Sequence, residues 1–168
     1  MRPTAINIPD AQAGPTISVA GSTYHILASS EQTGGAYAII DMLVPPGGGP
    51  GPHAHADIQE SFYVVAGEVV VRSETQTSTA RQGTFIEIPK GGAIHSFRNE
   101  SDQLAHLLCI VVPAGLDQFF LEIGQPVQPS QFLPPQPLGP EQLKERQALA
   151  QRYGQEVFPP DYLIKKQA

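Results

Sequence analysis

The chain has 168 residues, with 16 acidic against 10 basic side chains, and its formal net charge is −6 at pH 7. This length suits one domain with a sizeable core, and the single cysteine excludes an internal disulfide. Because lysine and arginine form no cluster that could follow a phosphate backbone, the composition argues against nucleic acid or an anionic membrane as a partner.

The N-terminal residues 1–10 lack the apolar segment of a signal peptide. No apolar stretch approaches the roughly 20 residues that a membrane helix requires. We therefore expect a cytoplasmic protein that does not cross a membrane.

Short segments bounded by turn residues predict a series of β-strands. In chain order they are residues 17–19, 23–27, 37–44, 60–66, 68–72, 75–81, 85–88, 93–98 and 105–112. With 16 glycines and 17 prolines and almost no helical periodicity before residue 115, this pattern favours an all-β sandwich or barrel. The nearly continuous apolar segments 39–44 and 107–112 are expected at the centre of a sheet, buried on both faces.

The C-terminal part of the chain differs in character from the strand-rich part. We expect residues 1–124 to form the barrel, with a short helix at 116–124, and residues 125–139 to form a linker rich in Pro and Gln. Residues 140–168 are expected to form a helix and tail that pack on the barrel or on a partner. Pro140 suits the first helical position, and Gly154 suits the position after the helix.

His53 and His55 are separated by one residue in a segment that follows a run of Pro and Gly. Side chains at i and i+2 of an extended chain point to the same side, so both imidazoles can reach one ion. Glu60 follows after a short turn, and an antiparallel barrel can bring His95 beside the pair. Three imidazoles and a carboxylate favour one divalent transition metal (Mn, Fe, Co, Ni, Cu or Zn) over Mg or Ca. Four ligands on a six-coordinate ion leave two positions free for chemistry.

Other side chains near these positions have simpler interpretations. Phe62 and Phe97 alternate with their strand neighbours and are expected mainly in the core, with a pocket-lining position as the alternative. His25 and His106 are expected to be strand-face residues and not ligands. Cys109 lies in an apolar run and is expected to be a small buried hydrophobic residue.

The spacing around the candidate ligands resembles the two conserved motifs of the cupin superfamily. The two motifs read Gly47-x5-His53-x-His55-x4-Glu60-x6-Gly67 and Gly83-x5-Pro89-x-Gly91-x3-His95-x3-Asn99. The first fits the family pattern at each spacing. The second has one extra residue between its glycine and His95, and taking Gly92 as the turn glycine restores that interval. Segments outside the motifs are similar to bacterial single-domain cupins that resemble quercetin 2,3-dioxygenase.

The resemblance implies a double-stranded β-helix, the jelly-roll barrel of cupins, that holds the metal through His53, His55, Glu60 and His95. It also implies a dioxygenase that uses O2 on a flavonol-like or other enolic small molecule, with Glu60 as ligand and catalytic base. Fold and ligand set do not fix the substrate. A cupin isomerase or decarboxylase, and a non-catalytic metal-containing binding module, stay open as alternatives. A second copy of the chain is the expected protein partner, because an edge strand needs cover.

Overall fold

The structure is a computed structural model that describes residue 2 and residues 4–167. The β-strands of the described part are β1 (Thr16–Val19), β2 (Ser22–Ala28), β3 (Ala38–Val44), β4 (His53–His55), β5 (Gln59–Ala66), β6 (Glu68–Ser73), β7 (Thr77–Arg81), β8 (Phe85–Ile88), β9 (His95–Arg98), β10 (Ala105–Val112), β11 (Gln125–Pro126) and β12 (Gln155–Val157). The helices are α1 (Ser30–Thr33), α2 (Leu116–Ile123), α3 (Pro140–Arg152) and α4 (Tyr162–Gln167). None of these helices combines the length and the apolar character that a membrane crossing requires.

Two antiparallel sheets face each other. One has seven strands in the order β11-β1-β2-β3-β10-β5-β8, and the other has five in the order β12-β4-β9-β6-β7. Buried side chains of both sheets, such as Ile40 and Leu107 from one and Val69 and Phe97 from the other, form a single hydrophobic cluster. From β3 to β10 the chain passes repeatedly between the two sheets, as in a jelly roll. The predicted all-β jelly-roll barrel with a C-terminal helix is therefore confirmed.

The long apolar strands β3 and β10 pair with each other in the middle of the seven-stranded sheet. Their inward side chains, such as Ile40 and Leu107, are fully buried, whereas the outward Leu108 and Ile110 keep partial exposure. The expectation of burial on both faces is therefore wrong for the single chain. The apolar residues on the outward face of β3 and β10 led to this expectation, although only the inward face of the sheet packs against the core.

The C-terminal part of the chain returns twice to the sheets. β11 pairs with β1 at the edge of the seven-stranded sheet, and β12 pairs with β4 at the edge of the five-stranded sheet. Between them, α3 begins at Pro140 and contacts α2. Sequence analysis did not predict α1, α4, β11 or β12, because elements this short depend on tertiary partners and not on a periodic pattern.

The loop before β4 passes close to the backbone of β9. Gly49 has φ +125°, and a Cβ atom there would lie 2.2 Å from the carbonyl oxygen of Phe97. A side chain at this position would therefore meet both backbone strain and a steric clash. The glycine allows the loop to lie against β9 and to carry the chain directly into His53.

Asn99 holds the turn that follows β9 through a full set of hydrogen bonds. Its Nδ2 donates to the carbonyl oxygens of Val44 at 2.8 Å and Gln103 at 2.7 Å, and its Oδ1 accepts from the backbone N–H of Ser101 at 3.0 Å. The side chain is completely buried. These bonds from side chain to backbone hold the turn in place.

We expect Asn99→Asp to lower the free energy of unfolding by about 1–3 kcal/mol, because two buried carbonyls lose their donors and face a carboxylate. Urea unfolding at neutral pH measures the change. Gln103→Ala is the matched control: it removes an exposed side chain and leaves the bonded carbonyl in place, so its effect should stay within about 0.5 kcal/mol. Equal stability of Asn99→Asp and wild type would contradict this role.

Candidate metal centre

The two sheets bring four candidate ligands to one point. β4 carries His53 and His55, and β9 begins with His95, which lies directly opposite His53 in the strand register. Glu60 comes from β5 in the facing sheet and reaches across the barrel. One ligand atom from each residue lies within 4.8 Å of the others. The structure therefore brings together all four residues that the sequence singled out.

Each imidazole is oriented by a backbone carbonyl. The three contacts are His53 Nδ1 to Gly51 O at 2.9 Å, His55 Nδ1 to Ile58 O at 3.0 Å, and His95 Nδ1 to Ala93 O at 2.9 Å. A carbonyl oxygen only accepts hydrogen bonds, so Nδ1 carries the proton in each ring. The lone pair then lies on Nε2 and faces the centre of the cluster, which is the orientation that a metal-binding histidine needs.

Glu60 lies at the centre of the cluster, and only 3% of the residue is exposed. Its Oε2 lies 3.1 Å from Nε2 of His55 and 3.2 Å from Nε2 of His95. Cys109 donates its thiol to the other oxygen, Oε1, at 3.4 Å. Imidazole lone pairs and a carboxylate oxygen that face one another are all acceptors, so either a proton on an imidazole or a bound metal ion must lie between them. The donor set fits a divalent transition metal.

The electrostatics differ among the members of the cluster. Burial alone would lower the pKa of His55, but its hydrogen bond with Glu60 raises that pKa. Burial lowers the pKa of His53 to about 4, and the neighbouring His95 adds to the effect. Burial alone would raise the pKa of Glu60, but the contacts with His55 and His95 bring that pKa well below its usual range. Burial and the Glu60 charge raise the pKa of Cys109, which stays a thiol. At neutral pH the cluster therefore offers a neutral His53 imidazole and an ionised carboxylate.

The cluster opens into a cavity of about 280 Å³ whose walls are mostly apolar. His53 and Glu60 form part of its lining, together with Phe62 and Phe97, whose ring centroids are 5.2 Å apart. Further apolar lining residues come from several elements and include Val19, Met42, Leu116, Phe119, Phe120 and Ile123. An apolar cavity with a few polar groups at one end is the usual form of a small-molecule site.

Sequence reasoning missed several residues of this cavity. Tyr24 of β2 lines it, and burial raises the pKa of its hydroxyl well above the usual range. The C-terminal segment also contributes to the lining, through Leu143, Arg146, Gln147, Ala150, Gln155 and Val157. No local motif marks these positions, because their place depends on where α3 and β12 pack.

The extra residue before His95 is absorbed within the turn. Gly91 and Gly92 have φ of +111° and +82°, values that favour glycine. The backbone N–H of Gly91 donates to the carbonyl of Ala56 at 2.8 Å, which ties this turn to the chain just after β4. β9 then starts at His95. The insertion therefore leaves His95 within the cluster.

The remaining histidines lie away from the cluster, as expected. His25 contacts the carbonyl oxygen of Ala13 at 2.8 Å. His106 pairs with Asp41 on the outward side of β3 and β10. Cys109 is fully buried, as the sequence predicts, but it also contacts the central carboxylate, which the sequence did not indicate.

Comparison with known proteins agrees with this architecture. A family model described as "Cupin domain" matches residues 40–111. Quercetin 2,3-dioxygenase of Bacillus subtilis is 24% identical over 115 residues, which cover 68% of this chain and 34% of that protein. The chain thus spans about a third of the length of this curated relative.

Two solved structures share the fold. The polyketide cyclase RemF from Streptomyces resistomycificus superposes with a TM-score of 0.55 at 18% identity, over 64% of this chain and 80% of that chain. A predicted oxalate decarboxylase from Thermotoga maritima superposes with a TM-score of 0.55 at 23% identity, over 64% and 99% respectively. Identities this low establish the fold and not the activity. Residues 40–111 thus match the cupin domain, and the chain resembles quercetin 2,3-dioxygenase and other cupins.

Proposed function

We propose that the protein is a metal-dependent dioxygenase that acts on a flavonol-like or other enolic small molecule. The observation that carries this proposal is the acceptor-only cluster of three imidazoles and one carboxylate at the end of an apolar cavity. The similarity to quercetin 2,3-dioxygenase supports the choice of reaction. His53, His55, Glu60 and His95 would hold one divalent transition ion.

A bound ion supplies Lewis acidity and coordination positions beyond its four protein ligands. Among the residues of the chain, Glu60 acts first in the reaction. It is ionised at neutral pH and accepts the enol proton of the substrate at Oε2. Its Oε1 is held by the thiol of Cys109, so the carboxylate keeps its orientation. The organic substrate supplies all the electrons that reduce O2, so the reaction needs no external reductant.

The cavity walls suit a planar aromatic substrate. Phe62 and Phe97 meet edge to face beside the cluster, and Tyr24 contacts Phe120 with ring centroids 5.1 Å apart. Aromatic walls of this kind bind a flat ring system through dispersion and edge–face contacts. They also exclude water from the carboxylate, which strengthens each electrostatic interaction in the site.

We expect protein purified without added metal to contain about one transition-metal ion per chain by elemental analysis. His95→Ala should lower the affinity for that ion by more than about 100-fold, since loss of an outer hydrogen-bond partner alone costs about 10–100-fold. His25→Ala is the matched control and should keep full metal content. Equal metal loss in both variants, or a wild type without affinity for any of the six candidate metals, would contradict the proposed ligand set.

We expect the metal-loaded protein to consume O2 and quercetin in equal amounts, followed with an oxygen electrode and by loss of flavonol absorbance. Glu60→Gln keeps the shape of the side chain but cannot accept the enol proton, so turnover should fall by about 100- to 10,000-fold. Metal content of this variant must be measured in parallel. Binding of quercetin without O2 uptake by the metal-loaded wild type would overturn the dioxygenase and favour a non-catalytic binding module.

We further infer that two copies of the chain pair through the outward face of the seven-stranded sheet. Tyr63 lies opposite both Phe85 and Leu108 in the strand register. Tyr63 is 42% exposed and Phe85 is 58% exposed, and Leu27 and Val112 are also exposed on this sheet. An exposed apolar patch such as the one formed by Tyr63, Phe85 and Leu108 is typical of an interaction surface.

The chain should therefore sediment at twice its 18.0 kDa mass. Tyr63→Arg should shift it to the monomer mass, because the dimer would bury an unpaired charge. Ile164→Arg, which changes an exposed residue of α4, is the control and should leave the dimer intact. A monomeric wild type in analytical ultracentrifugation at micromolar concentration would exclude this interface.

A further inference from the structure

Gln155 is an unusual residue because it is buried and its amide nitrogen has no partner. Only 8% of the residue is exposed, and its Nε2 forms no hydrogen bond within the described part of the chain. Most buried polar groups of folded proteins are paired, since an unpaired buried donor is costly. A donor kept in this state therefore indicates a ligand that supplies the missing acceptor.

The strand register shows from which face of the sheet this side chain projects. β12 pairs with β4 so that Gln155 lies opposite His55 and Val157 lies opposite His53. Residues directly opposite each other in an antiparallel pair project from the same face of the sheet. Gln155 therefore shares a face with the two histidines and lines the same cavity as His53 and Glu60.

Arg146 on α3 provides a second observation in the same cavity. It is partly buried and lines the cavity together with Leu143 and Ala150 of the same helix. The structure gives it no hydrogen bond or ion pair within residues 4–167. Glu60 is the one carboxylate among the described lining residues, and its oxygens already contact His55, His95 and Cys109. Arg146 thus contributes to a mostly apolar cavity wall without a counter-charge beside it.

We propose that α3 and β12 complete the substrate site and select an aromatic oxyanion. Gln155 donates from Nε2 to an acceptor oxygen of the ligand, and Arg146 pairs with the negative charge of the ligand. The apolar walls enclose the ring system between these groups and the metal centre. The proposal deepens the proposed function and rests on it for treating this cavity as the substrate site.

The position of these residues in the chain adds to the argument. Gln155 and Arg146 lie outside residues 40–111, the part that matches the cupin domain. The metal ligands all lie within that part. The shared domain therefore holds the candidate ligands, and the C-terminal segment would supply the groups that distinguish one substrate from another.

Two probes with the same ring system separate the roles of the two side chains. 2-Naphthoate carries an anionic acceptor, and 2-acetylnaphthalene carries a neutral one. Binding to the full-length protein, with its metal content as purified, is measured by isothermal titration calorimetry. Gln155→Met has a similar shape without a donor, and it should weaken both probes about tenfold. Arg146→Met should weaken naphthoate about tenfold or more and leave acetylnaphthalene within about twofold.

Matched controls come from the same segment. Gln151→Met and Arg152→Met change residues that do not line the cavity, so both probes should bind to these variants as they do to wild type. Metal content should stay unchanged in all four variants. Gln155→Met should also unfold at an equal or higher temperature than wild type, because it removes an unpaired buried donor. A purely structural glutamine would instead lower the melting temperature.

The result that overturns the inference is binding of 2-naphthoate to Gln155→Met or Arg146→Met as tight as to wild type. The absence of saturable binding of either probe to wild type at millimolar concentration also overturns it. These results are distinct from a failure of the proposed function. If the protein takes up no O2 with quercetin, the probe affinities still test the roles of Gln155 and Arg146. If the protein turns over quercetin, the inference is still overturned when the variants bind 2-naphthoate as tightly as wild type does.

Discussion

Three backbone carbonyls determine what the centre of this barrel can bind. By accepting from Nδ1 of His53, His55 and His95, they leave each Nε2 as a lone pair directed at the carboxylate of Glu60. Such a group of acceptors is unfavourable by itself in a buried site, and a cation relieves it. The metal hypothesis thus follows from the local backbone as much as from the ligand residues. The same carbonyls also prevent the rings from rotating away.

β4 joins the pair of histidines to the two strands on either side of it. It is only three residues long, yet it pairs with β9, which brings in His95, and with β12, which brings in Gln155. A strand this short has little stability of its own and depends on its two neighbours. The geometry of the histidine pair is therefore linked to the C-terminal segment. The packing of α3 and β12 therefore affects the geometry of the site.

The cavity combines apolar walls with a few groups of opposite charge. Glu60 lies at one end and Arg146 belongs to the α3 wall, while Phe62, Phe97 and Tyr24 lie between the sheets. A low-dielectric surrounding makes each charged contact stronger and each unpaired polar group more costly. This combination explains why an unpartnered amide at Gln155 is informative here. The same amide on a solvated surface would carry no such meaning.

The sequence predicted the strand pattern, the all-β class and the pair of His53 and His55 from strand alternation and the His-x-His spacing, which are local properties of the chain. It indicated Glu60 and His95 as further ligands through the resemblance to the cupin motifs. It could not place Gln155, Arg146 or Tyr24 in the cavity, nor Cys109 against Glu60. Those contacts join residues distant in the chain, and strand register and helix docking decide them. The folded chain sets which faces of the strands and helices pack together, and the burial of side chains and the interactions between charges depend on that packing.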